Sequence, residues 1–361
     1  MNVVVAGGGS AGHIEPAMNL ADALRARGVT VTALGTTRGL DQTLIPARGY
    51  ELDLVPPVPL PRRPSADLLS VPFRLRRAVR DTRAILARRK ASVVVGFGGY
   101  VSVPAYLAAR HRVPIVVHEA NARAGVANKL GARWAAHVAV TYPDCGLRGE
   151  VVGLPLRPAV SSLSRTERRA EGLASFGLDP AKPVLFVFGG SQGARRINTA
   201  VTDAAPMLAQ AGVQVLHATG AKNAEDVRRA LAAHGLSGEA PPYVAVPYVE
   251  RMDLAYAAAD LALCRSGAMT VAELTAVGLP AVFVPLPIGN GEQRLNAVDV
   301  VTAGGALMVD DAALDAAWVG AHVLPLLRDT VALSAMAAVA AEHGRPNAAD
   351  ALADIVLAAA R

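Results

Sequence analysis

One histidine with catalytic potential directly follows a glycine-rich turn. Val3-Val4-Val5 predicts a short buried strand, the turn Gly7-Gly-Gly-Ser-Ala-Gly12 comes next, and a helical pattern begins beside His13. At a helix start the dipole disfavours an imidazolium, so a neutral His13 above the sheet edge could take a proton as a general base. The alternative is that His13 only packs against its neighbours.

A second candidate site surrounds the carboxylate of Glu273. An apolar run at residues 261–263 enters the polar turn Ser266-Gly267, and Thr270-Val-Ala-Glu273 fits a capping box at a helix start. Gly278 predicts the end of that helix. Backbone N–H groups at a helix start bind phosphate, and a carboxylate one turn further could accept hydrogen bonds from a ribose diol. The alternative is that Glu273 only caps its own helix.

The elements that would position these groups alternate between strands and helices in both halves of the chain. Strands are predicted at 2–6, 29–34, 92–95, 114–118, 137–141 and 149–152, and again at 184–188, 213–219, 243–246, 261–263 and 281–285. A second glycine-rich turn, Gly189-Gly-Ser-Gln-Gly-Ala-Arg195, follows the strand at 184–188, and the polar residues 159–182 fit a connector. The pattern predicts two Rossmann-like α/β domains that face each other across a cleft and hold a ligand between them.

The glycines of the first turn also fit a dinucleotide-binding loop. Gly7, Gly9 and Gly12 satisfy G-x-G-x-x-G, but an NAD site needs an acidic residue at the end of the second strand. The chain has Gly35-Thr-Thr-Arg38 there. Because Arg38 could serve a 2′-phosphate, an NADP-binding oxidoreductase stays open as an alternative.

Composition and charge limit the other function classes. The 361 residues are 52% hydrophobic and 4% aromatic, which predicts a globular protein without the base-stacking surfaces of a nucleic-acid-binding protein. Cys145 and Cys264 provide neither a disulfide framework nor a cysteine metal cluster, and both are expected in the core. The N-terminus predicts a strand and no signal peptide, and no apolar run is free of the Gly and Pro residues that argue against a membrane span.

The positive charge is concentrated in one segment. Between Arg62 and Lys90, ten basic residues stand against Asp67 and Asp81, a local net charge of +8, whereas the whole chain carries +6. The same segment contains apolar residues interleaved with arginines: Leu68, Leu69, Val71, Phe73, Leu75, Arg74, Arg76, Arg77 and Arg80. Such a stretch is typical of contact with an anionic membrane surface, and the alternative is a solvated helix with its apolar face on the core.

Six motifs in chain order closely resemble the MurG family, the N-acetylglucosaminyltransferases of peptidoglycan synthesis. They are Gly7 to His13, Gly98-Gly-Tyr-Val-Ser102, His118-Glu119 with Asn121 and Asn128-Lys129, Gly189 to Arg195, Arg265-Ser-Gly-Ala268 with Thr270 and Glu273, and Glu292-Gln293 with Asn296. The resemblance covers nearly the whole chain. It implies a GT-B fold with an acceptor- and membrane-facing domain at 1–158 and a UDP-GlcNAc-binding domain at 159–342. A C-terminal helix within about 343–361 would cross back to the first domain.

The resemblance also implies an activity and a set of site residues. The reaction would be an inverting transfer of N-acetylglucosamine from UDP-GlcNAc to the C4 hydroxyl of the N-acetylmuramoyl unit of lipid I, forming lipid II. It would need no metal or other cofactor and would occur at the cytoplasmic face of the cell membrane. Catalysis would involve His13, Glu119 and Asn121. Donor binding would involve Ser10, Gly12, Asn121, Arg157, Ser191, Val249, Ala268, Met269, Thr270, Glu273, Glu292, Gln293 and Asn296. Contact with the acceptor or membrane would involve Gly9, Ser10, Gly99, Tyr100, Leu69, Phe73, Arg74 and Arg77.

Three positions depart from the family pattern. Glu292 stands where the family often has Gln, Ala120 replaces an amide residue, and Leu154 stands where Asn is frequent. These departures affect local contacts and leave the frame of motifs unchanged. A GT-B glycosyltransferase that acts on another acceptor stays open as an alternative, since it would share the donor site but would not need the basic, apolar surface.

Overall fold

The fold, taken from a computed structural model, is described for residues 1–58, 67–190, 193–288 and 290–361, with the backbone alone at 67–69. The chain divides into two units. Unit 1 comprises Met1–Arg157 and Asn347–Arg361, and unit 2 comprises Pro158–Pro346. The proline-rich loop that the sequence predicts at 55–64 lies largely outside the described residues.

Unit 1 contains a seven-stranded parallel sheet in the order β3-β2-β1-β4-β5-β6-β7. Its strands are β1 (Asn2–Gly7), β2 (Thr30–Thr36), β3 (Glu51–Val55), β4 (Ala91–Gly98), β5 (Ile115–Glu119), β6 (His137–Val140) and β7 (Glu150–Val151). Continuous valine runs such as Val3–Val5 and Val93–Val95 are buried, as expected for strands covered on both faces. The strand order reverses between β1 and β4, so the turns after these two strands flank the place where α/β sheets bind ligands.

Five helices follow these strands: α1 (Ala11–Ala26), α2 (Asp41–Ala47), α3 (Asp67–Arg88), α4 (Ser102–Ala109) and α5 (Val126–Gly131). The predicted helix after the first glycine-rich turn is confirmed as α1. β4 runs on to Gly98, so its glycines continue the strand beyond the predicted end at Val95.

Unit 2 repeats this plan in the order β10-β11-β9-β8-β12-β13-β14, parallel except for the β10–β11 pair. Its strands are β8 (Val184–Phe188), β9 (Gln214–Ala218), β10 (Glu239–Ala240), β11 (Tyr243–Val246), β12 (Leu261–Cys264), β13 (Ala281–Phe283) and β14 (Ala306–Met308). Here the order reverses between β8 and β12. The second glycine-rich turn and the Ser266-Gly267 turn follow these two strands.

The helices of unit 2 include two in the segment 159–182, where the sequence predicted a connector. The set is α6 (Pro158–Ser161), α7 (Arg165–Ser175), α8 (Arg195–Gln210), α9 (Ala224–Ala233), α10 (Met252–Ala258), α11 (Ala268–Ala276), α12 (Glu292–Thr302), α13 (Ala316–Trp318), α14 (Leu324–Arg328) and α15 (Thr330–Glu342). The prediction of a connector at 159–182 is wrong, because α7 packs closely on α10. A Cβ at Gly172 would lie only 2.5 Å from the carbonyl oxygen of Leu254.

The last helix, α16 (Ala348–Ala359), returns to unit 1. Leu352, Ala353 and Val356 are buried in the same core as Ile14 of α1. Arg27, at the end of α1, forms an ion pair with Asp350 at 2.8 Å. The prediction of two Rossmann-like domains with a C-terminal helix that returns to the first one is confirmed.

No single helix among the described residues is long and apolar enough to cross a membrane. One pair of helices, Ala316–Arg328 and Thr330–Glu342, meets the length and composition test together but is bent by 92°. The two cysteines are both buried and unbridged, as predicted.

A buried histidine of β9, His217, joins three elements of unit 2. Asn198 of α8 donates its amide N–H to the carbonyl of Thr219 (2.9 Å), which turns its Oδ1 towards Nε2 of His217 (3.0 Å). Nε2 therefore carries the proton, and Nδ1 accepts from the hydroxyl of Tyr243 at 2.8 Å. Burial lowers the pKa of His217 from 6.5 to about 3, so the folded protein keeps this imidazole neutral.

Acid is expected to destabilise unit 2 through this histidine. Between pH 6.5 and pH 3 the unfolded chain binds a proton at position 217 that the folded chain does not, so stability falls as the pH falls through 6.5. At pH 5 the loss is about 2 kcal/mol relative to neutral pH. Urea unfolding at pH 7 and pH 5 checks this: His217→Gln should show a correspondingly flatter pH dependence, and the exposed control His234→Gln should follow the wild type. Equal slopes in all three proteins would contradict the assignment.

Candidate functional site

The turn after β1 places His13 against the turn after β4. Ser10 precedes α1 as its N-cap residue, and the His13 N–H donates to the Ser10 carbonyl at 3.1 Å. Gly98 and Gly99 have φ values of +92° and +79°. A Cβ at Gly98 would lie 3.3 Å from Nδ1 of His13, and one at Gly99 would lie 3.2 Å from its Cδ2. The half-buried imidazole thus packs against this glycine pair, between β1 and β4, where the strand order of the sheet reverses.

A buried carboxylate that the sequence analysis did not single out, Asp41, holds the same turn. Its Oδ2 accepts from the Gly9 N–H at 2.9 Å, and its Oδ1 accepts from the Thr36 N–H at 3.4 Å. Cβ atoms at Gly8 and Gly35 would lie 2.4 and 2.8 Å from Oδ1, so these glycines make room for Asp41. A dinucleotide-binding loop presents such N–H groups to a pyrophosphate, and a carboxylate beside them argues against an NADP site.

Glu119 organises the loop that carries Asn121. The carboxylate is 3% exposed. Its Oε1 accepts from the Asn121 N–H (3.0 Å), and its Oε2 accepts from the Gly125 N–H (3.0 Å) and from the side-chain amide of Asn128 (2.9 Å). Asn128 in turn accepts from the hydroxyl of Tyr106 at 2.8 Å. These three N–H donors hold the carboxylate in one orientation against its own loop, so the geometry suits a positioning group better than a base.

His118, which precedes Glu119, is fully buried. Its Nε2 lies 2.8 Å from the carbonyl oxygen of Gly153, so this nitrogen carries the proton. Burial lowers the pKa of His118 below its usual range. The ring is a neutral structural group that joins β5 to the segment after β7.

Arg157, the last residue of the first segment of unit 1, belongs to an ion-pair network on α1. Its Nη2 lies 2.7 Å from Oε2 of Glu15, which also accepts from Arg48 at 3.1 Å. Asn19, one turn further along α1, donates to the carbonyl of Pro155 at 2.9 Å. The segment 155–157 is therefore fixed to α1, while the Arg157 side chain stays 44% exposed and accessible to a ligand.

The helix start proposed around Glu273 lies earlier than the sequence predicted. Gly267 is the N-cap residue of α11, with extended φ and ψ of −63° and 149°, and no side chain of the described residues caps this helix. The predicted capping box at Thr270 and Glu273 is wrong because both residues already lie inside the helix. The N–H groups of its first turn are those of Ala268, Met269 and Thr270.

Glu273 points to α10 and not to its own helix start. Its Oε2 accepts from the hydroxyl of Tyr256 at 2.8 Å. Tyr256 is fully buried, and Glu273 is half-buried. The alternative that Glu273 only caps α11 is therefore excluded. The predicted end of the helix is confirmed: Gly278 has φ +59°, and the next residue, Leu279, donates to Leu274 at 2.9 Å.

Polar residues of α12 meet the turn that precedes α11. Asn296, which is 2% exposed, donates to the carbonyl of Ser266 at 3.3 Å. Gln293 accepts from the Leu286 N–H at 3.0 Å, and Glu292 is the first residue of α12. The structure thus brings the predicted donor-site residues of α11 and α12 to neighbouring strand ends within unit 2.

Two other predicted donor residues belong to loops of unit 2. Ser191 lies outside the described residues, although the glycines around it are described; a Cβ at Gly193 would lie 2.1 Å from the carbonyl oxygen of Thr219. Val249 lies between β11 and α10 with its side chain buried, beside the exposed ring of Tyr248.

The predicted membrane face forms a groove on unit 1 between α3 and the end of α4. We call it the basic groove; it has a volume of about 1040 Å³ and is lined by Pro72, Phe73, Leu75, Arg76, Arg77, Val79, Arg80, Arg83, Leu107, Arg110 and His111. Phe73 is 75% exposed, and Tyr100, on another loop of unit 1, is half exposed. Arg74 is half-buried on α3, and the side chain of Leu69 lies outside the described residues. The arginines and Phe73 form a surface that is both cationic and apolar.

Among the described residues, no group of three or more His, Cys, Asp or Glu side chains is arranged to hold a metal ion. Within unit 1, the site residues gather around the turns after β1, β4 and β5. Within unit 2, the described site residues lie after β11, β12 and β13.

Both units resemble domains of known glycosyltransferases. Residues 3–140 match the glycosyltransferase family 28 N-terminal domain, and residues 184–352 match the glycosyltransferase family 28 C-terminal domain. The UDP-N-acetylglucosamine–N-acetylmuramyl-(pentapeptide) pyrophosphoryl-undecaprenol N-acetylglucosamine transferase of Mycolicibacterium smegmatis is 60% identical over 370 residues, covering 100% of this chain and 94% of that protein. The protein of the same name from Streptomyces avermitilis is 59% identical over 360 residues, covering 99% and 98%.

A solved structure agrees with these relatives. The crystal structure of Acinetobacter baumannii MurG matches this fold with a TM-score of 0.79 and 28% identity, covering 99% of each chain. The resemblance predicted from the six motifs is confirmed. The chain belongs to glycosyltransferase family 28 and, within it, to the MurG family.

Proposed function

We propose that this enzyme transfers N-acetylglucosamine from UDP-GlcNAc to the C4 hydroxyl of the N-acetylmuramoyl unit of lipid I, and so forms lipid II. The identity of about 60% over full-length relatives named for this transfer supports the substrates. The structural observation that supports binding of the donor, UDP-GlcNAc, is the start of α11. Its first-turn N–H groups have no side-chain cap among the described residues, and the Glu273 carboxylate lies one turn further.

In this proposal unit 2 binds the donor. The diphosphate lies on the N–H groups of Ala268, Met269 and Thr270, where the helix dipole favours negative charge. Glu273 accepts hydrogen bonds from the ribose hydroxyls. The family resemblance supplies the other assignments: Ser191 and Arg157 to the diphosphate region, the main chain of Val249 to uracil, and Glu292, Gln293 and Asn296 to the sugar.

The reaction is a single displacement in which His13 acts as the base. The C4 oxygen of the acceptor forms a bond to the anomeric carbon while the bond from that carbon to the phosphate oxygen of UDP breaks, which inverts the configuration. His13 takes the proton of the attacking hydroxyl. The negative charge that develops on UDP is stabilised by the N–H groups of α11 and by Arg157. Glu119 positions the loop of Asn121, which steers the hydroxyl.

Unit 1 binds the acceptor and the membrane in this proposal. Lipid I is anchored in the cytoplasmic leaflet, and the protein attaches there as a peripheral protein through the basic groove. Arginines attract anionic lipid headgroups, and Phe73 enters the boundary between headgroups and acyl chains. The turns at Gly9–Gly12 and Gly99–Tyr100 would hold the lipid-linked pyrophosphate; because the Gly9 N–H already donates to Asp41, the other N–H groups of these turns would have to make that contact.

Isothermal titration with UDP-GlcNAc, UDP-glucose and NADPH, in the presence of EDTA, tests the donor half. Wild type is expected to bind UDP-GlcNAc best. Glu273→Ala should weaken that binding by about 10- to 100-fold, because hydrogen bonds to a charged acceptor contribute about 1.5–3 kcal/mol. Glu225→Ala, which removes an exposed carboxylate from α9, serves as the matched control and should bind like wild type.

Other outcomes separate the alternatives. Binding of NADPH alone would overturn the transferase proposal. A preference for UDP-glucose would keep a glycosyltransferase but remove the peptidoglycan assignment. Transfer of labelled N-acetylglucosamine to a lipid I analogue tests the acceptor half, and donor binding without transfer to that analogue would favour another acceptor.

A further inference from the structure

The contact between Tyr256 and Glu273 has a specific direction. Tyr256, on α10, donates its hydroxyl proton to Oε2 of Glu273, on α11, at 2.8 Å. A buried tyrosine hydroxyl needs such a partner, and a carboxylate is a stronger acceptor than a neutral group. The hydroxyl therefore fixes which way the Glu273 carboxylate faces.

The ring that carries this hydroxyl is itself held in the core of unit 2. Its centroid lies 6.0 Å from that of Phe186 in an edge-to-face arrangement and 6.2 Å from that of Phe188, both on β8. Tyr256 is fully buried in the same core cluster. Aromatic packing of this kind leaves the ring a single orientation, so the hydroxyl cannot follow a moving carboxylate.

The backbones of the two helices are tied together by Arg165 of α7. Its Nε donates to the carbonyl of Tyr256 (3.0 Å), its Nη1 to that of Gly278 (2.8 Å) and its Nη2 to that of Ala259. Burial lowers the pKa of Arg165 to about 10, which still leaves it charged at neutral pH. One guanidinium thus fixes the end of α10 against the end of α11, and the spacing between Tyr256 and Glu273 is set from both sides.

We propose that Tyr256 is a positioning residue for Glu273 and thereby sets the preference for a ribose over a 2′-deoxyribose nucleotide. This inference rests on the proposed binding of a uridine nucleotide with its ribose at Glu273. A carboxylate offers about four acceptor positions, and the Tyr256 hydroxyl occupies one on Oε2. A ribose diol needs two of the others at a fixed angle, whereas a 2′-deoxyribose supplies one hydroxyl fewer and gains less from that alignment.

A merely structural role for Tyr256 predicts a different result. If the hydroxyl only stabilised unit 2, its loss would lower the melting temperature and would weaken the binding of UDP and of 2′-deoxy-UDP to the same extent. If the hydroxyl aligns Glu273, its loss should weaken the binding of UDP more than the binding of 2′-deoxy-UDP. The ratio of the two dissociation constants therefore separates alignment from stability.

The experiment is isothermal titration of the full-length protein with UDP and with 2′-deoxy-UDP, together with a thermal melt of each variant. Wild type is expected to prefer UDP by about 10-fold or more, the size of one hydrogen bond to a charged group. Tyr256→Phe should lower this preference by about 3- to 10-fold. The matched control is Tyr243→Phe, which removes another buried hydroxyl of unit 2, the one that donates to His217, and should leave the preference unchanged.

A second variant keeps the proposal testable if Tyr256→Phe does not fold. Arg165→Lys retains the charge but loses the planar fork that holds three carbonyls, and it should also lower the preference for UDP. An unchanged preference in a folded variant that still binds UDP would overturn the inference alone. Equal weakening of both nucleotides would also overturn it. Wild type that binds neither nucleotide would overturn the proposed function, and the inference with it.

Discussion

Replacing His13 by alanine is expected to lower kcat by about 10²- to 10⁴-fold, the usual contribution of a general base. The imidazole lies against Gly98 and Gly99 at the first turn of α1, where the strand order of the sheet reverses. A single displacement with inversion needs one base and no enzyme nucleophile, so no second group shares this task. Initial rates with a lipid I analogue measure the effect, and titration with UDP-GlcNAc should show that donor affinity changes little.

The matched control is His137→Ala, which removes an exposed imidazole from the start of β6 in the same unit. It should keep wild-type rates. If His13→Ala lowers kcat by less than about tenfold, another group takes the proton. Glu119 would then be the next candidate for the base, despite its three N–H donors. A loss of donor binding in step with the loss of rate would instead assign His13 to the nucleotide.

Most strands could be predicted because each is a local, continuous signal, whereas β3, β10 and β14 were not predicted. β8 and β11 have the predicted bounds, since each is an apolar run that follows a proline. The repetition of strand, glycine turn and helix in both halves then gave the fold class. These features depend on residues that are neighbours in the sequence, and periodicity reports such neighbours directly.

The prediction of a connector at 159–182 is wrong because the arginines of this segment have partners far away in the sequence. Arg165 binds carbonyls of residues 256, 259 and 278, and Arg169 forms an ion pair with Asp260 at 3.0 Å. In the sequence these side chains resemble a solvated connector. In the fold they hold α7 against α10.

The site could be predicted in part for the same reason. His13 and Glu273 follow turns that can be recognised in the sequence. The groups that orient them, Asp41 and Tyr256, do not lie in those turns. Asp41 reaches the Gly9 N–H across 32 positions, and Tyr256 reaches Glu273 across 17. No spacing rule joins such pairs, because their contact depends on the strand order of the sheet. Most other site residues came from the family resemblance, which encodes that order implicitly.

Removing Phe73, Arg77 and Arg80 together is expected to reduce binding to anionic vesicles by about a thousandfold. The apolar contact of Phe73 contributes about 2 kcal/mol, and each arginine near the surface contributes about 1 kcal/mol. A loss of about 4 kcal/mol corresponds to nearly three powers of ten in a partition coefficient. The two arginines lie 3.8 and 3.5 Å from Asp81, and such exposed pairs leave most of their charge available to lipid.

Sedimentation with phosphatidylglycerol vesicles measures this partition, with Phe73→Ala, Arg77→Ala and Arg80→Ala combined in one variant. The matched control combines Val331→Ala, Arg228→Ala and Arg229→Ala, which removes one exposed apolar side chain and two exposed arginines from unit 2. Wild type and control should bind alike at low salt, and both should bind more weakly as salt screens the arginines. Equal partition of the two triple variants would show that α3 is a solvated helix. Its Phe73 and arginines would then bind vesicles no better than exposed residues elsewhere on the protein. A selective loss in the α3 variant would place the membrane contact on the unit that also carries His13.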